Sequence, residues 1–218
     1  MEKIILYHGS TGVVYKPLYG AGKSTNDYGK GFYCTESIEL AREWASTGFD
    51  IQGIVNKYEL DLNGLKILNL SKSEYGILNW ISVLIKNRDF STNNPLSIKA
   101  KQFLIENFYV DINAYDIVIG YRADDSYFKF AKAFLNNAIS KEALGEAMRL
   151  GDLGEQIVLI SERAFKQIKF ISSEEVNTYD YYSKRFRREQ NAKEDFNKAS
   201  TIDGEFIRDI IRRYGNAR

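Results

Sequence analysis

The alternation of apolar and polar positions divides the chain into short strands and amphipathic helices. Residues 3–8, "KIILYH", form an apolar run closed by a Gly-Ser turn and predict a buried strand. Residues 11–31 carry no period and are rich in glycine, a loop of the length that is usually functional or disordered. "GFYCT" predicts a strand leaving that loop. "ESIELAREWAST" predicts a helix with Ile38, Ala41, Trp44 and Ala45 on one face and Glu36 or Ser37 as cap. "IVNKYELDL" alternates as a half-exposed strand, and "LKILNL" reads as its hairpin partner across the "NG" turn. Residues 74–88 and 97–109 predict two helices, and "YDIVIGY" a buried strand at 115–121. "RADDS" reads as a turn in which Asp124 and Asp125 cap a helix near 127–137, followed by another at 141–150. "EQIVLIS" and "FKQIKFIS" predict two more strands. From Thr178 the chain is charged and helical, ending in the amphipathic "DGEFIRDIIRRYG". Strands and helices that do not alternate as βαβ units predict an α+β fold. The change in pattern predicts a domain over 1–172 and a helical extension over 173–218, packing on that domain or extending from it.

Composition narrows the classes. The chain has 218 residues, 44% apolar and 27% charged, enough for one well-buried domain. Its 30 basic and 29 acidic side chains leave no global field for a polyanionic partner. Residues 173–218 are likewise mixed, so Lys184, Arg185, Arg187 and Arg188 read as a solvated helix face. No run of eighteen apolar residues and no signal-peptide pattern is present, and the expectation is a cytoplasmic protein without membrane contact. A single cysteine, Cys34, suits a reducing compartment and reads as a small buried hydrophobe. A single histidine, His8, leaves no multi-histidine metal site, so no metal is expected.

The glycine-rich loop contains "GKS" at 22–24. A phosphate-binding P-loop needs a glycine five residues before that triplet's first glycine, and Pro17 stands there. The residues after the triplet are turn formers and open no helix. The informative half of the loop is "YGKGFY", at 28–33.

Three short motifs carry candidate chemistry: "LYHGS" at 6–10, "YGKGFY" at 28–33 with Trp44 beyond it, and "GEQIVL" at 154–159. In this order they resemble the ADP-ribosyltransferase superfamily, in its diphtheria-toxin and poly-ADP-ribose-polymerase branch with a His…Tyr…Glu signature. More narrowly they are similar to an uncharacterised bacterial group of that clan reading "LYHGS", "DFGKGFY", "YDIVIG" and "QIVF". The resemblance covers roughly residues 4–172. It implies a split antiparallel sheet around a cleft for NAD, a co-substrate whose nicotinamide–ribose bond breaks through an oxocarbenium-like state. It also implies roles for individual residues. His8 would hold the adenosine ribose, and Gly9, beside Ser10, would meet the nicotinamide amide. Tyr33 and Trp44 would flank the nicotinamide ring. The third-motif residue, Glu155 or Gln156, would hold the ribose hydroxyl next to the breaking bond, and the loop would be a lid.

The chain departs from the polymerase pattern at two places. Ala41 stands where the polymerases have an amide-binding serine, removing a donor from the cofactor set. Aligning "IV" puts Glu155 on the polymerase glutamate, whereas the bacterial group favours glutamine before "IV", which is Gln156. Strand residues alternate between faces, so one of the two points into the cleft, and the group's pattern favours Gln156. The resulting expectation is a bacterial mono-ADP-ribosyltransferase. It would be a toxin of a toxin–antitoxin or phage-defence locus, with a macromolecular acceptor and a small antitoxin as partners. Two rivals stand beside it: an enzyme of the same fold acting on nucleic acid or removing an RNA 2′-phosphate, and a non-enzymatic NAD-binding or protein-interaction module.

Overall fold

The structure is a computed structural model and describes residues 2–72, 74–89, 94–123, 125–150 and 154–216. Its architecture is mixed α+β, built on two sheets.

The first sheet is antiparallel, with β3 (Gly53–Asp61) between β1 (Lys3–Ser10) and β7 (Ile168–Val176). The second runs in the order β2 (Phe32–Cys34), β6 (Glu155–Leu159), β5 (Ile117–Tyr121), β4 (Ile67–Asn69). Its β2–β6 and β6–β5 pairs are antiparallel and its β5–β4 pair is parallel. Tyr7 and Thr35 join the sheets by exchanging backbone hydrogen bonds of 2.8 and 3.0 Å. An inter-sheet core fills the space between them, with Leu6, Tyr58 and Leu60 from one side and Phe32, Cys34, Ile117, Ile157 and Leu159 from the other.

The expected hairpin of "IVNKYELDL" with "LKILNL" does not form. Gly64 does turn the chain, with φ of +72°, but β1 and β7 already occupy both edges of β3. Ile67–Asn69 therefore pairs in parallel with β5, and the crossover between them carries α2 (Ile77–Asn87) and α3 (Pro95–Phe108). The β4–β5 pair is the parallel exception among strand pairs that otherwise run antiparallel, as expected of the core. "FKQIKFIS" is corrected too. Residues up to Gln167 belong to α6 (Glu162–Gln167), capped by Ser161 accepting from the Ala164 amide, and the strand runs on to Val176.

Helix α1 (Ile38–Ala45) begins where the Ser37 hydroxyl accepts from the Leu40 amide, and buries Ala41 and Ala45 against Val55 and Val176 of the first sheet. Helix α2 is buried almost all round, through Trp80, Ile81, Val83, Leu84 and Ile85. It meets α4 (Asp125–Leu135) and α5 (Lys141–Leu150) in the largest core cluster. Asp124 and the side chain of Asp125 lie outside the described residues. The C-terminal segment contributes α7 (Thr178–Ala199) and α8 (Ile207–Asn216), with Ala199, Ile207 and Ile210 fully buried in that same cluster. Strand β7 runs through the 172/173 boundary, and Arg188 of α7 makes a two-pronged contact with Glu43 of α1, at 2.9 and 2.8 Å. Among the described residues no helix is long and apolar enough to cross a membrane.

Candidate functional site

The Tyr7–Thr35 bridge sets the site. It brings the end of β1 alongside β2, so that His8 and Gly9 face Phe32 and Tyr33 across the junction of the sheets. A cavity of about 690 Å³ opens there, in the range of small-molecule sites. His8, Gly9, Tyr33, Trp44 and Gln156 all line it. The glycine-rich loop supplies a wall through Val14, Lys16, Leu18 and Asp27. That loop is pinned: the Val14 amide donates to Asn56 Oδ1 at 2.8 Å, and the Tyr58 hydroxyl donates to the Val14 carbonyl. A groove of about 780 Å³ lined by Leu96, Phe103, Ile211 and Tyr214 is larger, but none of the motif residues reaches it.

The His8 ring nitrogen Nδ1 lies 2.7 Å from the Tyr33 carbonyl oxygen. Burial lowers the His8 pKa below its ordinary value, and the Tyr33 carbonyl opposes that only in part. Phe32 packs on the same ring, with centroids 4.4 Å apart. The Tyr33 hydroxyl donates to the Gly29 carbonyl at 2.7 Å and accepts from the Tyr28 amide at 3.1 Å, which ties the aromatic wall to the turn before it. Burial pushes its pKa up, so the hydroxyl stays protonated. The Arg122 guanidinium stands over the Trp44 ring at 4.9 Å. Trp44 Nε1 is buried without a hydrogen-bond partner among the described residues.

Gln156 and Glu155 part company on β6. Ile157 and Leu159 go into the inter-sheet core, so Gln156 and Val158 take the other face. Gln156 is buried and lines the cavity, while Glu155 is exposed and does not. Ser10 and Ala41 are not among the lining residues either. The Ser10 hydroxyl donates to the Gly12 carbonyl at 2.7 Å and accepts from Asn56 Nδ2 at 2.9 Å, closing the turn that starts the loop. Ala41 is fully buried under the first sheet. Gly9 lines the cavity with its backbone, but the direction of a Cβ there faces α1, 2.2 Å from the Ala41 carbonyl oxygen. Helix packing, rather than room for a ligand, is what demands glycine at that position.

Three groups of the site had no motif to announce them. Asp27, only 6% exposed, accepts from the Ala123 amide at 2.9 Å and from Gln156 Nε2 at 3.0 Å, and Arg88 Nε lies 3.3 Å from its other oxygen. Burial raises its pKa, against the pull of Arg88, the Ala123 and Gln156 amides and Arg122. Arg122 follows β5. Arg185 reaches the cavity from α7, whose cations read in the sequence as a solvated face. Lys16, Arg88, Arg122 and Arg185 therefore surround the cavity against the carboxylate of Asp27, a balance that suits an anionic ligand. Cys34, by contrast, is a buried free thiol in the inter-sheet core, its pKa pushed up by burial.

The fold and site define a mixed α+β protein whose two sheets part around a cationic, aromatic-walled cavity. Residues 4–170 match the family described as "Protein of unknown function (DUF3990)", and the chain belongs to that family. No curated protein and no solved structure matches it. The matched residues include His8, Tyr33, Trp44, Asp27 and Gln156, whereas Arg185 lies beyond them.

Proposed function

We propose that the protein is an NAD-dependent mono-ADP-ribosyltransferase with the split-sheet fold of that superfamily. The observation that carries the reading is convergence. His8, Tyr33, Trp44 and Gln156 come from β1, β2, α1 and β6 and line a single cavity. Resemblance to the His…Tyr…Glu branch requires these positions to meet, and nothing in their spacing along the chain does.

The residues fit the co-substrate. Neutral His8, protonated on Nδ1, offers Nε2 as an acceptor to a ribose hydroxyl. Tyr33 and Trp44, which line the cavity, offer their rings to the cationic nicotinamide ring. Lys16, Arg122 and Arg185 face the diphosphate with positive charge. In the reaction the nicotinamide–ribose bond breaks, its electron pair leaves with nicotinamide, and an acceptor nucleophile bonds to the ribose carbon and releases its proton to solvent. Gln156 holds the neighbouring ribose hydroxyl, and as a neutral amide it stabilises the developing positive charge less than a carboxylate does. Free NAD hydrolysis is accordingly slow, and cleavage requires a well-placed acceptor. Action as an intracellular bacterial toxin on a macromolecular acceptor, restrained by a small antitoxin, rests on the resemblance alone.

The test is incubation of cell lysate with labelled NAD and the purified protein, followed by protease or nuclease. Label that becomes soluble with protease identifies a protein acceptor, and with nuclease a nucleic acid. Absence of transfer, together with tight NAD binding, would instead favour a non-enzymatic NAD-binding module. Ala41, standing where the polymerases carry a serine, is the observation on that side.

A further inference from the structure

We propose that Asp27 is the positioning residue of this site: its carboxylate fixes which way round the Gln156 amide stands, so that Oε1 is the atom turned to the ligand's hydroxyl. The proposal rests on the ADP-ribosyltransferase reading for its catalytic consequence, and on geometry alone for the amide.

A side-chain amide has a donor end and an acceptor end of nearly equal shape, so a buried glutamine needs a neighbour to choose between them. Here the neighbour is a carboxylate, which when ionised only accepts. Gln156 Nε2 faces Asp27 Oδ2 at 3.0 Å. Both residues are buried, at 5% and 6% exposure, so water does not compete for the contact. Asp27 is itself held from three sides. The Ala123 amide donates to Oδ2, Arg88 Nε lies beside Oδ1, and Asn87 Nδ2 donates to the Asp27 carbonyl at 3.2 Å. Arg88 in turn donates to the Ala123 carbonyl at 2.9 Å, which closes the network on the backbone after β5. A hydrogen bond from the amide nitrogen to a carboxylate also draws electron density toward Oε1, improving it as an acceptor. The negative charge that the polymerases place on the strand thus stands one bond further back, on the loop.

The arrangement depends on Asp27 being ionised. The charged and titratable groups facing it are Arg88, Arg122, Tyr28 and Tyr33. Burial favours the protonated acid, and Arg88 leads the groups that oppose it. A protonated Asp27 becomes a donor and pairs best with the amide oxygen, turning the amide round and withdrawing Oε1 from the ligand.

The test reads the amide directly and then the reaction. In ¹⁵N-labelled wild-type protein the Gln156 side-chain NH₂ signal, assigned by its loss in Gln156→Glu, should shift as pH falls from about 8 to about 4. In folded Asp27→Asn that titration should vanish. For NAD cleavage, Asp27→Asn should lower kcat by roughly 10- to 100-fold and change KM for NAD by less than about threefold. Gln156→Glu sets two carboxylates together, so one must hold a proton, and its activity should rise toward acidic pH where wild type falls. A Gln156 amide signal that is the same in wild type and in folded Asp27→Asn at every pH overturns the proposal. So does an Asp27→Asn protein with unchanged kcat, or one whose KM alone changes. Wild-type protein that neither cleaves NAD nor transfers label from it in lysate refutes the proposed activity, while the amide signal, compared between wild type and Asp27→Asn, still decides the positioning.

Discussion

The His8 imidazole and the Tyr33 carbonyl, 25 positions apart, meet at 2.7 Å. A carbonyl only accepts, so the proton resides on Nδ1 and the other ring nitrogen is left as an acceptor. His8→Ala should weaken NAD binding by about 1–3 kcal/mol, the cost of removing one partner from a half-buried hydrogen bond. Calorimetry on folded variant protein measures it, and unchanged affinity would refute the role of His8 in the cleft.

The same contact has a pH signature. Burial holds the folded His8 pKa below its ordinary value of 6.5, so the unfolded chain binds more protons than the folded one in that range. Stability attributable to His8 is complete above the ordinary value and is lost as pH falls below it. Asp27, whose folded pKa is raised, acts in the opposite sense: its share is complete below the ordinary aspartate value of 3.8 and is lost as pH rises through its folded pKa. Urea melts of wild type and His8→Gln at a series of pH values should converge as pH falls from about 7 to about 5.

Trp44 lines the cavity, while Trp80 is fully buried and donates to the Tyr28 hydroxyl at 3.0 Å. Nicotinamide or a stable NAD analogue should quench tryptophan fluorescence in wild type and in Trp80→Phe, and fail to do so in Trp44→Phe. Quenching that survives in Trp44→Phe would remove Trp44 from the ring site.

Arg185 links the C-terminal helix to the cavity, and the Arg188–Glu43 contact one residue turn away holds that helix on α1. Arg185→Ala should weaken binding of NAD by about 1.5–3 kcal/mol, the worth of a charged hydrogen bond, and should flatten its salt dependence. Nicotinamide, which carries no phosphate, should bind both proteins equally. Equal losses for the two ligands would mean that α7 supports the fold and does not touch the diphosphate.

Gly9→Ala places a Cβ 2.2 Å from the Ala41 carbonyl and 2.6 Å from the Ala45 amide nitrogen. Helix α1 must move, at a cost of about 1–3 kcal/mol. A denaturant melt reads this without any ligand. An unchanged midpoint would show that the first sheet and α1 are not packed as described.

The local pattern determined most of the elements. Alternation and apolar runs marked β1, β2, β3, β5 and β6, and the 3.6-residue period with Ser37 marked α1, because those signals come from neighbours a few positions apart. The motif residues His8, Gly9, Tyr33 and Trp44 were legible for the same reason: each sits in a short, recognisable stretch. What lay beyond the sequence was every decision made by partners distant along the chain. Either face of β6 is apolar, so the period alone left Glu155 and Gln156 open and only the resemblance favoured Gln156; Gln156 lines the cavity because Ile157 and Leu159 fill the core between the sheets. The partner of β4 depended on both edges of β3 being taken. Asp27 looked like one turn residue among several until 129 positions of chain folded back to set Gln156 against it. Arg185 looked solvated until α7 was laid along α1. Burial and pairing are properties of the assembled surfaces, and a side chain in a loop or on a charged helix carries no local period to reveal which surface it will meet.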